Sequence, residues 1–408
     1  MNTILHIDCN NAFLSWEAAY RLSKGERLDI RNIPSVIAGN PAQRKGIVLA
    51  CSYPAKKLGI KTALTINDAL RKCPDLLIFP PDYDTYITCS NELVSLLLDY
   101  SPLVERYSID ECFVDLGANI TSPLAVADSI RIEIKKQLGF TVNIGVSDCK
   151  LLAKTASGFS KPDKTHSLYK SELEEKYFHL PIYQLFMVGL KTCMKLYKLG
   201  YKTIGQVARE NPEVLKQHFN LFGLLIWSYA NGIDHSKVTL YEEKVKGIGN
   251  STTLPADIED ISLLDPFLLS LTERCSYSLR MNQMYTGTIQ IGIKTNDHRY
   301  QLHQKKLTYC TDNTNEIYNI CKKLVREMVI NKPIRHVQVR LTDLSSNSLY
   351  QLSLLNKENT IDKYIDGIRN KYGDRMIKRA VFLHSGIDSM MEATNKNYPK
   401  IKNNIFNG

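Results

Sequence analysis

The sequence lacks the cysteine and histidine spacings that indicate a zinc site or a disulfide framework. Its ten cysteines are scattered singly, with no CxxC pair and no Cys/His group at metal-ligand spacing. It also lacks an apolar run of about 18 residues, and its first residues lack a basic segment followed by a long apolar core. We therefore expect a cytoplasmic protein in a reducing compartment, without export or membrane insertion.

What the chain has is length and a surplus of positive charge. With 408 residues, 44% hydrophobic and 23% charged, it can bury several cores, which predicts two to four domains. Lys and Arg number 52 against 42 Asp and Glu, for a net charge of +10. This balance favours a polyanionic partner such as nucleic acid, although a lysine-rich surface also serves solubility.

The first 168 residues alternate between strand-like and helix-like segments, which predicts one layered α/β domain carrying a small α/β insertion. A short apolar run ends at Asp8, and a helix follows that closes at Gly25. Further helices are predicted over YPAKKLGIK, TINDALRKC with Thr65 as its cap, 91–100 and 126–138. Strands are predicted over IPSVIAG, GIVLACS, LVERYS, CFVDL and FTVNIGVS.

The rest of the chain separates into a helical part and a mixed part. Residues 183–231 are helix-like, with glycines punctuating short helices, and the charged segment 241–246 is typical of a linker. An α+β domain is predicted next, with helices over 263–280 and 315–328 and strands over GTIQIGIKT, RYQLHQKKLTY and HVQVRLTDL. Beyond Leu344 the chain is polar, with one helix near 362–372 and an Asn/Lys-rich end that we expect to be disordered.

Three carboxylates stand where predicted strands end. Asp8 closes the first strand, and Asp110 and Glu111 lie between two strand-like runs that form a predicted hairpin. Carboxylates that converge at strand ends could hold two Mg²⁺ ions for an in-line phosphoryl displacement, which is the chemistry of nucleotidyl transfer. Two alternatives stay open: an acidic hairpin turn that is simply solvated, and an Asp8 that caps the following helix.

The segments HIDCNNAF and YSIDECFVDL resemble the two acidic motifs of the Y-family DNA polymerases, and the resemblance covers roughly residues 1–383. It implies a low-fidelity, DNA-dependent DNA polymerase for translesion synthesis that lacks a proofreading exonuclease. The fold it implies is a multidomain α/β and α+β right hand. Its parts would be a palm (1–12 and 82–168), small fingers (13–81), a helical thumb (169–236), a linker (237–247), a little finger (248–345) and a tail (346–408).

The resemblance also implies a metal site and a sugar gate. Asp8 and Asp110 would bridge two Mg²⁺ ions, with Mn²⁺ as a substitute, while Glu111 and the backbone carbonyl of Cys9 complete the ligands. Phe13 falls where the family has an aromatic steric gate that excludes a 2′-hydroxyl. Taken alone, Phe13 could equally be an ordinary packing residue of a helix.

Three further residues match family positions that hold the incoming triphosphate, namely Tyr53, Lys56 and Lys161. The chain departs from the family at two nearby positions. Lys56 replaces an arginine that many members have, which exchanges a bidentate fork for a point charge. Ala50 replaces a residue that carries a hydroxyl in many members.

DNA contacts are implied by the thumb and the little finger. FMVGLKTCMKLYKLG resembles the family's helix-hairpin-helix, in which backbone amides meet a DNA phosphate. Met187 stands in place of the first hairpin glycine, so a plain helix turn remains the alternative. Predicted phosphate contacts on the little finger are Lys294, Arg299, Lys305, Lys306 and Arg340.

The polar tail contains one apolar pentapeptide, Gln351, Leu352, Ser353, Leu354 and Leu355, which is similar to the peptide by which bacterial polymerases dock on the sliding clamp. The expected partners are primer-template DNA, deoxynucleoside triphosphates and the clamp, with no membrane and a monomeric chain. Two other functions remain possible from sequence: a catalytically idle DNA- and clamp-binding protein, and a nucleotide cyclase with a similar palm.

Overall fold

The computed structural model describes residues 2–39, 46–240, 245–346, 360–373, 376–383, 385 and 387. These residues form two compact units, one up to residue 240 and the other from residue 245 onward. The division falls within the predicted linker 237–247. Among these residues, no helix is both long enough and apolar enough to cross a bilayer.

The first unit contains two sheets and eleven α-helices among its described residues. Its strands are β1 (Asn2–Cys9), β2 (Ser35–Ala38), β3 (Val48–Cys51), β4 (Leu77–Phe79), β5 (Val104–Arg106), β6 (Glu111–Ala118), β7 (Val142–Ser147) and β8 (Thr165–Ser167). Its helices are α1 (Ala12–Ser23), α2 (Tyr53–Lys57), α3 (Ile66–Lys72), α4 (Tyr83–Leu98), α5 (Pro123–Leu138), α6 (Lys150–Ser157), α7 (Leu173–Lys176), α8 (Leu190–Lys198), α9 (Ile204–Ala208), α10 (Pro212–Phe219) and α11 (Leu221–Ala230).

The larger sheet has five strands in the order β5-β6-β1-β7-β8, with β1 antiparallel to both of its neighbours. Successive side chains of a strand point to opposite faces, so β1 divides its residues between two environments. Leu5, Ile7 and Cys9 join the apolar core shared with α1, α4 and α5. His6 and Asp8 therefore lie on the other face, where His6 contacts Ser157 of α6.

The smaller sheet confirms the predicted insertion. It has the order β3-β2-β4, with β2 parallel to β4, and the two helices α2 and α3 lie in the same segment. Thr65 caps α3 as predicted, because its side chain accepts a hydrogen bond from the backbone N–H of Asp68. Strand β4 was not predicted. It has three residues and is largely exposed, so it shows no clear alternation of buried and exposed residues.

The segment 183–231 is helical, as predicted, and contains α8 to α11, while α7 precedes it. Local signals set two of the helix starts. Thr203 and Gln206 form a reciprocal capping box at α9, and Asn211 accepts a hydrogen bond from Glu213 N just before Pro212 opens α10. These helices have their own apolar core, which includes Tyr177 and Leu196.

The second unit is a four-stranded antiparallel sheet in the order β11-β10-β12-β9, with helices packed on one face. Its elements are β9 (Gly247–Ile258), α12 (Asp265–Met281), β10 (Met284–Thr295), β11 (Tyr300–Thr311), α13 (Thr314–Arg326), β12 (Ile334–Ser346) and α14 (Thr360–Tyr372). Alternate residues of β10 and β12 build its core, including Ile289, Ile291, Val337 and Val339.

The structure differs from the predicted secondary structure at the start of α4 and at β9. Helix α4 begins at Tyr83 rather than near Asn91, because Asp82 accepts hydrogen bonds from two backbone N–H groups and Tyr86 packs into the core. Strand β9 was not predicted, since GIGNSTTLPADI mixes glycine, proline and polar residues. It forms because its backbone pairs with β12.

Candidate active site

The three predicted carboxylates come from neighbouring backbone positions at one edge of the larger sheet. Asp8, near the end of β1, pairs directly with Glu111, the first residue of β6. Asp110 precedes Glu111 in the bend of the hairpin, and its carbonyl accepts a 3.0 Å hydrogen bond from Cys9 N. Ser108 Oγ donates to Asp110 Oδ1 over 2.6 Å, which orients that carboxylate.

Two lysines each pair with one of the carboxylates. Lys161 Nζ lies 2.8 Å from Asp8 Oδ1, and Lys154 Nζ lies 2.7 Å from Glu111 Oε1. Burial raises the pKa of Asp8, and the charge of Asp110 adds to it, although Lys161 opposes the rise. Burial likewise raises the pKa of Glu111, against the opposing charge of Lys154. The site therefore concentrates negative charge that needs cations beside it.

His6, which was not predicted as a site residue, contacts Lys154 from the strand β1. Ser157 has one hydroxyl hydrogen, which it donates to the Lys154 carbonyl over 2.8 Å. His6 Nδ1, 2.7 Å from Ser157 Oγ, must then carry the ring hydrogen, so Nε2 presents its lone pair to Lys154 Nζ at 3.5 Å. Burial, and then Lys154, hold the pKa of His6 well below its ordinary value, so the ring is neutral. Residues two apart on a strand share a face, so the spacing of His6 and Asp8 could have indicated from the sequence that His6 lies beside the site.

A divalent cation fits the chemistry of this site. In the part of the chain that the structure describes, no three His, Cys, Asp or Glu side chains are grouped as metal ligands. The carboxylates of Asp8 and Glu111 each form an ion pair with a lysine instead. Carboxylate oxygens are the ligands that Mg²⁺ prefers, and a cation there would stabilise the charged form of Asp8 and Glu111 against the burial that raises both pKa values. The Cys9 thiol points into the apolar core, so only its backbone carbonyl is suited to such a role.

The ring of Phe13 lies in the first turn of α1 and is held by other aromatic side chains. It stacks on Tyr86 with ring centroids 4.8 Å apart and planes 11° from parallel. The ring of Tyr83 packs edge-on to the ring of Phe13, with the two ring centroids 6.1 Å apart. Phe13 remains only half-buried, so a fixed aromatic face is left next to the strand end that carries Asp8.

Tyr53 and Lys56 lie on α2, whose start is capped by Ser52. Lys56 Nζ lies 4.7 Å from the centre of the Tyr53 ring and donates a hydrogen bond to Asn11 Oδ1. Burial raises the pKa of Tyr53 and lowers that of Lys56. A cavity of about 550 Å³ beside them is lined by Asn11, Tyr53 and Pro162 among others, so it connects α2 with the loop that carries Lys161.

The remaining predicted contacts belong to the segment before α8 and to the second unit. Met187 has the left-handed backbone conformation that favours glycine, with φ of 73°, and Gly189 follows as the N-cap of α8. In the second unit, the predicted contact Lys294 lines a cavity of about 580 Å³ together with Arg335, which was not predicted. Other predicted contacts lie on β11 (Lys305, Lys306), on β12 (Arg340) and just before β11 (Arg299). The pentapeptide 351–355 lies outside the described residues.

Comparison with known proteins shows which family this chain resembles over most of its length. The model of the impB/mucB/samB family matches residues 7–158, and the model of that family's C-terminal domain matches residues 245–354. The DNA polymerase IV of Clostridium acetobutylicum is 43% identical over 387 residues, which cover 93% of this chain and 98% of that protein. The DNA polymerase IV of Alkaliphilus oremlandii is 36% identical over 400 residues, or 93% and 99% of the two chains.

A solved structure shows the same fold. The Y-family DNA polymerase chimera Dbh-Dpo4(243-245)-Dbh superposes with a TM-score of 0.74 at 22% identity and covers 85% of this chain and 100% of its own. This chain is therefore similar to a Y-family polymerase in fold as well as to the family models in sequence. The chain therefore belongs to the impB/mucB/samB family, that is, to the Y-family DNA polymerases.

Proposed function

We propose that this Y-family DNA polymerase extends a primer 3′-hydroxyl on a DNA template by two-metal nucleotidyl transfer from deoxynucleoside triphosphates. It would act with low fidelity across damaged template and without a proofreading exonuclease. The observation that carries the proposal is the meeting of Asp8, Asp110 and Glu111 at one sheet edge, with Phe13 in the next helix and Lys161 against Asp8.

Asp8, Asp110, Glu111 and the carbonyl of Cys9 are the groups that would hold two Mg²⁺ ions, or Mn²⁺ in their place. Bound there, such ions lower the pKa of the attacking hydroxyl and neutralise the phosphates. Lys154 contacts only Oε1 of Glu111, so it can hold that side chain while Oε2 stays available.

Tyr53, Lys56 and Lys161 would bind the triphosphate. Lys161 is long and about one-third exposed, so its ammonium can transfer from Asp8 to a phosphate without backbone movement. Lys56 lies over the ring of Tyr53 and bonds to Asn11, and these two residues both line the cavity. A lysine here donates from a point charge, so we expect weaker triphosphate binding than an arginine would provide.

Phe13 would set the choice of sugar. Because Tyr86 and Tyr83 hold its ring, the ring cannot turn aside to admit a 2′-hydroxyl. Discrimination against ribonucleotides then follows from rigid packing rather than from a hydrogen bond to the sugar.

The test of the metal site is extension of a primed template with Mg²⁺ and deoxynucleotides. We expect Asp110→Asn to lose at least a hundredfold in kcat, since it removes a charge that acts on the reacting phosphate. Asp115→Asn is the matched control, because Asp115 lies on β6, which begins directly after Asp110, and contacts Asn2 and Gly117 N. Absence of extension by the unaltered chain would favour the idle binding protein, and a cyclic product formed without primer-template would favour the cyclase.

The test of the gate is ribonucleotide insertion by Phe13→Ala. We expect the preference for deoxyribonucleotides to fall by about 100-fold or more, with deoxynucleotide insertion less affected. Leu14→Ala is the control, because Leu14 is adjacent but fully buried in the core. Unchanged discrimination in Phe13→Ala would exclude the gate while leaving the carboxylate site intact.

The pentapeptide 351–355 would dock on the replication sliding clamp, and we expect a monomeric chain in the cytoplasm. The measurement is binding of the full chain to immobilised clamp. Leu354→Ala should weaken binding roughly tenfold or more, because an apolar anchor is lost from a groove. Asn356→Ala, just outside the peptide, should bind normally. Equal binding by both variants would remove the clamp from the proposal.

A further inference from the structure

Two asparagines form a buried amide network beside the carboxylates. Asn143 on β7 pairs in register with Asp8, and Asn10 follows Asp8 by two residues. Asn10 is 2% exposed and Asn143 is fully buried. A polar side chain is costly at such a position unless its hydrogen bonds are satisfied.

Asn143 satisfies its full hydrogen-bonding capacity. Its Nδ2 donates to the carbonyls of Ser157 and Ser160, over 3.1 and 2.7 Å. Its Oδ1 accepts from Asn10 Nδ2 at 3.2 Å and from Lys164 N at 3.3 Å. Carbonyls can only accept and backbone N–H groups can only donate, so the orientation of the Asn143 amide is set by its partners.

These bonds hold the loop that carries Lys161 on both sides of that residue. Before Lys161, Asn143 binds Ser157 at the end of α6 and Ser160 in the loop, and after Lys161 it binds Lys164. Asn10 adds a fourth point, because its Oδ1 accepts a 2.9 Å hydrogen bond from Asp163 N. Lys161 reaches Asp8 from this anchored loop.

We propose that Asn143 and Asn10 are positioning residues for Lys161, which they hold beside Asp8 so that its ammonium meets the incoming triphosphate. This inference rests on the proposed function, in which Lys161 binds that triphosphate. Asn143 would thus link the strand that carries the metal-binding carboxylate to the loop that carries the phosphate-binding cation. A merely structural role would instead lower stability without a specific effect on nucleotide binding.

The experiment measures the Kd of a correct deoxynucleotide for the full chain on primer-template DNA with a dideoxy-terminated primer, so that no reaction follows. The variants are Asn143→Leu, Lys161→Met and their combination. Leucine is similar in size and neutral, so it removes the four hydrogen bonds without adding charge beside Asp8. Ser147→Ala is the matched control, because Ser147 is also buried on β7 but bonds to Leu168.

We expect Lys161→Met to raise the Kd about tenfold or more, since a charge-assisted hydrogen bond to phosphate is lost. Asn143→Leu should raise it by a similar factor, and the combined variant should bind no more weakly than Lys161→Met. Ser147→Ala should stay within about twofold. With extendable primer, the effect of Asn143→Leu should appear mainly in KM rather than in kcat.

Two results would overturn this inference without affecting the proposed function. In the first, Lys161→Met raises the Kd while Asn143→Leu leaves it unchanged. In the second, the increases in Kd caused by the two substitutions multiply in the combined variant. If Lys161→Met has no effect on Kd, the triphosphate role of Lys161 fails, and the inference with it. Should Asn143→Leu not fold, Asn10→Ala takes its place. That variant should raise the Kd by a smaller factor, and the increase should vanish in the Lys161→Met background.

Discussion

At the residue scale, the site balances three crowded carboxylates with ammonium groups that belong to the chain itself. Lys161 and Lys154 reach Asp8 and Glu111 from a loop and from a helix, respectively. Each pair is partly buried, so its attraction is screened less than that of a surface pair. The two ammonium groups therefore offset part of the carboxylate charge before a divalent cation binds.

Asp163 supplies a pH-dependent part of the stability. Its carboxylate lies 2.8 Å from Lys135 Nζ and 2.5 Å from Arg131 Nη1. Burial acts to raise the pKa of Asp163, but these two cations outweigh it and hold the pKa below its ordinary value. A depressed pKa means that the stabilisation is complete above about pH 4 and is lost as the pH falls through the folded-state pKa.

We predict that Asp163→Asn lowers the free energy of unfolding by about 1 kcal/mol at pH 7, because two charged partners lose their carboxylate. The loss should shrink below about pH 4, where the unaltered chain gives up the same contribution. Urea unfolding from pH 7 to pH 3 measures both. Asp128→Asn, whose carboxylate is half-exposed, serves as the control. A difference that stays constant with pH would contradict this assignment.

At the element scale, one glycine determines how closely α6 approaches the sheet. A Cβ at Gly145 of β7 would lie 1.9 Å from the carbonyl oxygen of Ala153 and 2.4 Å from the backbone nitrogen of Ser157. Both are backbone atoms of α6, so no side-chain rotation can relieve the clash. The close packing is what lets Lys154 on this helix reach Glu111.

We predict that Gly145→Ala destabilises the chain by about 3 kcal/mol or more, because α6 must move away from β7. Thermal unfolding of the full chain measures this. Gly158→Ala is the matched control, since its added Cβ would meet only the Thr155 carbonyl at 3.3 Å. Primer extension should fall further in Gly145→Ala than in the control, as Lys154 withdraws from Glu111. Equal stability of the two variants would argue against this packing constraint.

The hairpin before α8 holds a methionine where the backbone favours glycine. Met187 has φ of 73°, and a non-glycine residue there costs roughly 1–2 kcal/mol. Glycine would remove that cost but adds about 0.5–1 kcal/mol of chain entropy to the unfolded state. We predict a net gain of up to about 1 kcal/mol for Met187→Gly, measured as a higher urea midpoint at unchanged slope.

The control for this prediction is Met194→Gly. Met194 lies within α8 and is exposed, so glycine there should cost about 1 kcal/mol. Opposite signs for the same substitution at two nearby methionines would assign the effect to backbone conformation. A destabilised Met187→Gly would mean that the side chain contributes more by packing than its conformation costs.

At the scale of the whole molecule, each unit has its own core, and the second unit also contains a buried ionic network. Helix α14 contributes Asp362 and Asp366 to Arg280, at 3.3 and 2.5 Å. It also brings Arg369 to Glu273 at 3.4 Å, with both side chains 3% exposed. Charges buried this deeply are costly without their partners, so α14 belongs structurally to this unit.

We predict that residues 245–408 fold cooperatively when produced alone, whereas residues 245–358, which lack α14, lose about 3 kcal/mol or more. Urea unfolding followed by circular dichroism measures both fragments. Tyr364→Ser in the longer fragment is the control, because that side chain lies on α14 but is exposed. A shorter fragment as stable as the longer one would mean that Arg280 and Glu273 gain water or other partners.

Much of the architecture could be predicted because it depends on local pattern. The hairpin around Asp110 and Glu111, the cap of α3 and the alternating strands of the second unit all follow from neighbouring residues in the chain. The strand β9 and the first turns of α4 could not be predicted. Their stability comes from pairing with β12 and from packing against the core, which involve residues far away in sequence.

For the site, the sequence by itself determined which residues are candidates for the chemistry, because carboxylates at strand ends and an aromatic residue and lysines that match family motifs are visible in one dimension. Only the tertiary structure decided how those groups are held. The hydrogen bonds of His6 to Ser157 and Lys154 and of Asn10 to Asn143 join residues 133 to 151 positions apart, and Lys154 reaches Glu111 across 43 positions. Hydrogen bonds of this kind depend on the register of β1 between β6 and β7 and on the approach of α6, and local sequence does not encode either one.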